Sequence, residues 1–248
     1  MAQIAARSIS EGDAIRYRGE FPIFEHTTYL NSCSLGPPSN RSIQALRQYE
    51  EDWSTFGAPA WWEVWLPKLQ RAKERFAQLI GAGAHEVTIS HSISSALSSL
   101  ASTFDYRSKP NVVCAELDFP TIPYQWLAKA REGVKVRFAR SRDRIAVPLS
   151  AYDELVDERT SLVATSHVFY ATGAIQPVKD LADLAHKRGA RLIVDGYHSV
   201  GVFPVDVKAL GVDMYVGGVL KWLLGGPGLT FIYVREELLP ELKPTVSG

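Results

Sequence analysis

The sequence predicts an α/β protein with a mostly parallel seven-stranded sheet and helices on both faces. From residue 86 onward, short segments rich in β-branched and apolar residues alternate with helical patterns. This alternation is typical of a parallel sheet. Several strands are apolar without interruption, as expected when both of their faces are buried. Proline and glycine stand at the boundaries of helical segments, where they begin and end helices.

The predicted strands share β-branched or aromatic residues and are bounded by polar or glycine-containing segments. The fifth strand, RLIVD, is a continuous apolar run that ends on an aspartate. In order along the chain, the strands are predicted over residues 86–90, 111–117, 134–139, 161–167, 191–195, 212–218 and 229–235.

Helical patterns fill most of the gaps between these strands. The helix predicted over residues 177–189 has Pro177 at its start and Gly189 just past its end, which are the positions that these residues favour. The other helices are predicted from near Ser39 and over residues 61–79, 94–104, 122–131 and 151–156.

The region before the first strand predicts the domain organisation. Residues 1–30 are polar and aperiodic and are interpreted as an N-terminal arm, which leaves residues 31–248 as one large domain. Large aromatic side chains pack in cores and in oligomer interfaces. We therefore predict that four tryptophans in this region pack in the core or in an oligomer interface: Trp53, Trp61, Trp62 and Trp65.

Composition excludes several classes of protein. The 248 residues include 27 Lys+Arg, 27 Asp+Glu and 46% hydrophobic residues, which argues against a disordered chain and against a nucleic-acid partner. No apolar run approaches the roughly 20 residues that span a bilayer. The first residues also lack the apolar core of a signal peptide. We therefore expect a cytoplasmic protein with no membrane partner, in which Cys33 and Cys114 are inert, reduced thiols.

Polar side chains follow five of the predicted strands. Ligands bind at the carboxyl ends of the strands in open α/β sheets, so five such clusters at one edge predict a binding site there. The clusters are His91–Ser95, Asp118–Thr121, Ser166–Gly173 with His167 and Tyr170, Asp195 with His198, and Lys221.

Other motifs for small-molecule chemistry do not fit. No G-x-G-x-x-G follows a strand, and Lys221 is followed by Trp222 instead of the Ser or Thr of a phosphate-binding loop. The segment GYHSVG does not have the spacing of a G-x-S-x-G nucleophile elbow. Asp195 and His198 lack a third ligand at a suitable spacing, so no metal site is predicted.

Lys221 is the most informative residue, because it lies among glycines and apolar residues directly after a buried strand. Burial lowers the pKa of an amine and makes it a nucleophile toward an aldehyde. Asp195 can hold the proton of a pyridine nitrogen, and Ser94 and Ser95 at a helix N-terminus can bind a phosphate. With Phe119 as a face for ring stacking, these residues match the requirements of pyridoxal 5'-phosphate.

Each of these residues also has a simpler interpretation that the sequence leaves open. Lys221 could lie on the surface, and His198 could be a core histidine with its hydrogen bonds satisfied. Ser94 could serve only as the N-cap of its helix, and Phe119 could be an ordinary core residue.

The chain resembles the class V aminotransferase family of pyridoxal-phosphate enzymes, the branch with kynureninase, isopenicillin N epimerase and cysteine desulfurase. The resemblance extends from residue 29 to the last residue and implies the fold-type-I architecture. The matching blocks are ISSAL (93–97), DFPT (118–121), SHVFYATG (166–173), VDGYHSVG (194–201) and LKWLLGGPG (220–228).

The resemblance implies a role for each site residue. Lys221 would hold the cofactor as an aldimine and move the Cα proton, and Asp195 would pair with the pyridine nitrogen. His198 would lie near the 3-hydroxyl group of the ring. The other implied cofactor contacts are Ile93, Ser94, Ser95, Phe119, Thr121 and Ser166.

The resemblance also implies an amino-acid substrate, with transamination, Cβ lysis or epimerisation as the reaction. It implies a homodimer, or a second chain that supplies the C-terminal small domain, which we expect to be absent here. The sequence departs from the family pattern at two positions before the lysine. Gly218 and Leu220 stand there, where related enzymes have other residues. They favour an alternative, a catalytically incomplete homologue that acts as a partner or scaffold subunit.

Overall fold

The predicted alternation of strands and helices is present in the computed structural model, which describes residues 10–246. All seven predicted strands form and belong to one sheet, so this part of the prediction is confirmed. The strands are β1 (Val87–Ser90), β2 (Asn111–Ala115), β3 (Lys135–Ala139), β4 (Thr160–Ser166), β5 (Arg191–Asp195), β6 (Met214–Gly218) and β7 (Thr230–Val234).

The sheet has the order β1-β7-β6-β5-β4-β2-β3 and is parallel from β6 to β3. Strand β7 is the exception, because it runs antiparallel to both β1 and β6. Residues 219–229 connect β6 to β7 without a helix, and a parallel pair would need a longer crossover connection. This reversal leaves the loop that carries Lys221 at the carboxyl end of β6.

Helices cover both faces of the sheet and bury two apolar clusters. One cluster packs the side chains of α3 and α7 against the sheet, and the other packs α4 and α5 against the opposite face. In the described residues the helices are α1 (Glu11–Arg18), α2 (Asn40–Phe56), α3 (Leu66–Leu79), α4 (Ile93–Ala101), α5 (Thr121–Leu127), α6 (Leu149–Asp153), α7 (Val178–Lys187) and α8 (Val207–Leu210).

Local chemistry explains several helix boundaries. The hydroxyl of Ser39 accepts a hydrogen bond from the backbone of Ser42 and begins α2, as the sequence predicts. Gly189 has a φ of +65° just past the end of α7, which is a left-handed conformation that glycine adopts without steric cost. The predicted helix over residues 61–79 is a π-helical turn at Trp61–Trp65 followed by α3.

The predicted N-terminal arm is not irregular throughout, because it contains α1 and a 3-10 turn at Pro22–Glu25. Residues 1–9 and residues 247 and 248 lie outside the described residues. The predictions of an arm and of a missing signal peptide refer in part to residues 1–9. The division into an arm and a large domain stays a prediction. Within residues 10–246, no helix is long and apolar enough to cross a membrane.

Candidate functional site

A cavity of about 530 Å³ opens where β4, β5 and β6 end and where α4 begins. Eight of the nine predicted site residues line it, although they come from five separate segments of the chain. They are Ile93, Ser94, Phe119, Thr121, Ser166, Asp195, His198 and Lys221. Because parallel strands end at a common edge, their following residues converge there, as the sequence predicted.

Lys221 reaches into this cavity from the loop that follows β6. Its Nζ lies 2.6 Å from Nε2 of His198 and 5.1 Å from the centre of the Tyr197 ring. Burial lowers the pKa of Lys221, and the charges of Asp195 and Cys33 only partly oppose this shift. The amine is therefore easier to deprotonate than an ordinary lysine, as a nucleophile requires.

His198 complements this amine. Burial, followed by the nearby charge of Lys221, lowers the pKa of His198 to about 4. The imidazole is therefore neutral near pH 7, and its Nε2 can accept a hydrogen bond from Lys221. The pair can hold one proton between two nitrogen atoms at the wall of the cavity.

Asp195 ends β5 as a buried carboxylate. Its Oδ1 accepts a hydrogen bond of 2.8 Å from the backbone of Tyr197, but no cation in the described residues forms an ion pair with it. Burial raises the pKa of Asp195 to about 6, although the Tyr197 hydrogen bond and the charge of Lys221 counteract part of the effect. A buried carboxylate without a cation is suited to bind a protonated nitrogen of a ligand.

The start of α4 forms another wall of the cavity, and here the structure separates the predicted serines. Ser92, and not Ser94, is the N-cap, because its hydroxyl accepts a hydrogen bond of 3.1 Å from the backbone of Ser95. The Ser95 hydroxyl contacts Ser92 and His91 and does not line the cavity. Ser94 does line it, at a helix N-terminus that favours anions.

The remaining predicted residues form the sides of the cavity. Phe119 is 44% exposed, which is inconsistent with an ordinary core residue, and its ring meets Tyr170 edge-on at 5.2 Å. Thr121 begins α5. Ser166 is buried, and its backbone donates a hydrogen bond of 2.7 Å to Asp118.

Sequence reasoning missed the contribution of residues 31–38. Cys33 and Ser34 line the cavity, and the backbone of Gly36 donates a hydrogen bond of 2.8 Å to the carbonyl of Leu220. A Cβ atom at Gly36 would lie 2.0 Å from the carbonyl oxygen of Lys221, so only glycine permits this approach. The glycine in SLGPPS was the available signal.

Both positions that depart from the family pattern, 218 and 220, lie at or beside the cavity. Leu220 lines the cavity. A Cβ atom at Gly218 would lie 2.5 Å from the ring of Tyr197. The Tyr197 ring thus fills the volume that a side chain at position 218 would need.

A metal site is not supported. No group of three or more His, Cys, Asp or Glu side chains in residues 10–246 could hold a metal ion. The polar groups of the cavity include the Lys221 amine, the His198 imidazole, the Asp195 carboxylate and several hydroxyls, which suit an organic ligand with separate cationic and anionic groups.

Residues 43–248 match the profile of the aminotransferase class-V family, and the chain therefore belongs to this family. It is 38% identical over 233 residues to the uncharacterized aminotransferase YcbU of Bacillus subtilis, covering 94% of this chain and 62% of that protein. It is 29% identical to a kynureninase of Geobacillus thermodenitrificans, covering 94% and 57%. The chain spans about three fifths of the length of these relatives. The predicted family resemblance is confirmed.

Solved structures confirm the fold. A mutant of C-DES, with glycine covalently linked to its PLP cofactor, superimposes with a TM-score of 0.83 at 22% identity, covering 93% of this chain and 62% of that one. The apo cysteine desulfurase of Thermococcus onnurineus gives a TM-score of 0.82 at 22% identity, covering 94% and 60%.

Proposed function

We propose that this chain binds pyridoxal 5'-phosphate and belongs to an enzyme that acts on an amino acid, with Lys221 as the residue that holds the cofactor covalently. The observation that carries the proposal is the convergence of Lys221, His198 and Asp195 with the start of α4 in one cavity. Family membership supports it, as does the PLP cofactor of the structural neighbour C-DES.

The residues of the cavity fit this cofactor. The unpaired carboxylate of Asp195 can bind a protonated pyridine nitrogen, and the exposed ring of Phe119 can stack on the pyridine face. Ser94 and the backbone N–H groups at the start of α4 can bind the phosphate. Ile93, Thr121 and Ser166 border the same space.

When bound, pyridoxal phosphate withdraws electrons from the Cα atom of an amino acid and so weakens the bonds to that atom. The chain supplies the proton transfer. Lys221 Nζ, with its lowered pKa, can take a proton from Cα and return it. His198 Nε2, at 2.6 Å, can orient the amine for this transfer.

The scaffold alternative receives no support from the relatives, which are named as aminotransferases, cysteine desulfurases and kynureninase. Gly218 and Leu220 were the main argument for that alternative. The Tyr197 ring occupies the volume that a side chain at position 218 would need, and Leu220 lines the cavity.

Borohydride reduction of the protein mixed with pyridoxal phosphate tests the proposal. We expect a visible absorbance band before reduction and a phosphopyridoxyl group on Lys221 after it, located by peptide mapping. Lys221→Ala should lose both signals, whereas Lys187→Ala, at an exposed position of α7, should keep them. No absorbance band in the wild-type protein, or a label only on other lysines, would contradict the proposal. A panel of amino acids then distinguishes transamination, Cβ lysis and epimerisation.

A second copy of this chain is the partner that we propose beside the amino-acid substrate. Trp65 is buried, but Trp53, Trp61 and Trp62 are 62%, 52% and 75% exposed, and such aromatic surfaces are typical of interfaces. Sedimentation should show a wild-type dimer that Trp62→Ser weakens and Tyr124→Ser, at an exposed aromatic residue of α5, does not. A monomeric wild-type protein would exclude this partner.

A further inference from the structure

A buried hydrogen-bond network lies beneath the turn that carries Asp195 and His198. The Tyr215 hydroxyl lies 2.8 Å from Nδ1 of His167 and 2.6 Å from Oγ of Ser199. All three residues are at most 5% exposed, and none of them lines the cavity. The proposed function assigns them no task.

The direction of each hydrogen bond follows from the number of available protons. The single proton of the Ser199 hydroxyl is donated to the carbonyl of Gly196, at 3.0 Å, because a carbonyl only accepts. Tyr215 must then donate to Ser199, and His167 must donate to Tyr215 from Nδ1. Burial lowers the pKa of His167 to about 4, so this residue is neutral, with its proton on Nδ1.

The network joins β6 to the segments that follow β4 and β5. His167 follows β4, Tyr215 lies in β6, and Ser199 belongs to the turn after β5. The Tyr215 ring lies under Gly196, where a Cβ atom would be 2.1 Å from it. The backbone of His167 also donates a hydrogen bond of 2.8 Å to the carbonyl of Asp195.

We propose that Tyr215, Ser199 and His167 are positioning residues that hold the Asp195–His198 turn in the orientation needed for ligand binding. A phenylalanine at position 215 would fill the same apolar volume, so packing alone does not require the hydroxyl. The hydroxyl instead ties the turn to β4 and β6 through directional bonds, which favour one arrangement over others. The inference rests on the proposed function for the identity of the ligand.

The network itself is tested without cofactor. Imidazole ¹⁵N NMR of the wild-type protein should show His167, assigned with a His167→Asn variant, as the neutral tautomer protonated on Nδ1. Tyr215→Phe should change the ring signals of both His167 and His198, because the turn that carries His198 loses its support. Unchanged His198 signals in Tyr215→Phe would overturn the proposal.

Cofactor binding tests the consequence. Tyr215→Phe should weaken the binding of pyridoxal phosphate by about 5- to 10-fold, the size expected for one or two hydrogen bonds, and change the visible circular dichroism of the bound ring. Tyr106→Phe is the matched control, because the Tyr106 hydroxyl is also buried with two partners, Ala101 and Trp126, at 2.9 and 3.0 Å. It should destabilise the protein similarly but leave both cofactor signals unchanged.

The outcomes separate this inference from the proposed function. Equal effects of Tyr215→Phe and Tyr106→Phe on affinity and dichroism would overturn the positioning role. If Tyr215→Phe does not fold, Ser199→Ala removes the same link and must show the same changes. If the wild-type protein binds no pyridoxal phosphate, the proposed function fails, and the His198 signals alone decide the positioning role.

Discussion

Buried carboxylates have cationic partners at one end of the sheet and lack such a partner at Asp195, at the other end. At the amino end of the parallel strands, Asp213 contacts Nε2 of His186 at 2.7 Å and a guanidinium nitrogen of Arg235 at 2.8 Å. Glu86 at the same end contacts Lys208 at 3.0 Å. At the carboxyl end, Asp195 is also buried but has no cation within ion-pair distance in the described residues.

This difference appears in the pKa values. Burial alone would raise the pKa of Glu86, but hydrogen bonds from Gly83, Lys208 and Glu236 outweigh it and lower the pKa. For Asp195, burial prevails and raises the pKa to about 6. Buried charges with partners are typical of structural sites, and buried charges without partners mark functional ones. The comparison therefore supports a structural role for the amino end of the sheet and the proposed ligand binding for the carboxyl end.

The largest expected effect concerns solvent access. Cys33 is exposed at the cavity, whereas Cys114 is fully buried in β2, and burial raises its pKa well above the usual range. A thiol reagent should therefore modify Cys33 at least about a thousandfold faster, because Cys114 becomes accessible only through unfolding. Ellman's reagent measures both rates. If both thiols react rapidly in the native protein, the reagent reaches the interior around Cys114 without unfolding.

Removal of one carboxylate at each end tests the comparison directly. Asp213→Asn should lower the free energy of unfolding by about 3 kcal/mol, because it removes the charged partner of His186 and one of the two charged partners of Arg235. It should leave the affinity for pyridoxal phosphate unchanged. Asp195→Asn should weaken that affinity by about 10- to 100-fold, the value of a charged hydrogen bond, without loss of stability. Chemical denaturation and absorbance titration measure the two quantities.

If Asp195→Asn destabilises the protein as strongly as Asp213→Asn does, the carboxylates at both ends of the sheet have the same structural role. In that case the missing ion pair at Asp195 has no functional meaning.

The pH dependence of stability should differ between Asp195→Asn and the wild-type protein. The folded pKa of Asp195 is raised from 3.8 to about 6, so the folded state binds more protons than the unfolded state between these values. The contribution of Asp195 to stability must therefore decrease as the pH rises through this window. The stability advantage of Asp195→Asn over the wild-type protein should grow by up to about 3 kcal/mol between pH 3.5 and 7.

Denaturation curves of the cofactor-free proteins at several pH values measure this difference. The difference between two proteins removes the contributions of all other titrating groups. A constant difference over the whole range would mean that the carboxylate of Asp195 is hydrated in the folded state.

The smallest expected effects concern two helix caps. Ser39→Ala and Ser92→Ala each remove a side-chain hydrogen bond at a helix start and should each cost about 1 kcal/mol of stability. Only Ser92 borders the cavity, so only Ser92→Ala should also weaken phosphate binding at α4. Thermal denaturation and pyridoxal-phosphate titration compare the two variants. If Ser92→Ala and Ser39→Ala bind pyridoxal phosphate equally well, the start of α4 does not contribute to the site.

The strands and the edge that carries the site were predictable because both depend on local patterns. Apolar runs define the strands, and a parallel sheet brings the residues after its strands to one edge. This reasoning found Ser166, Asp195 and Lys221 without any knowledge of contacts. It also placed the start of α2 near Ser39, since a serine before an apolar periodic segment is a strong helix signal.

Other features were not predictable because they depend on where a strand ends or on distant contacts. The segment HSISS offers three serines, and Ser92 becomes the cap because β1 ends at Ser90. No local pattern indicates that Cys33 and Ser34 reach the cavity. The helix α1 was missed because its residues lack an apolar stripe in the sequence.

The contact between the segment around Gly36 and the Lys221 loop has a consequence for the order of folding. Ser42 donates a hydrogen bond to the carbonyl of Leu224, 182 residues further along the chain, beside the bond from Gly36 to Leu220. Contacts over such distances carry a large loop-closure entropy cost, which the other contacts of the fold must offset. During synthesis, this wall of the cavity cannot close until β6 and its loop have left the ribosome. A ligand that needs this wall can therefore bind only after the segment around Gly36 and the Lys221 loop have come together.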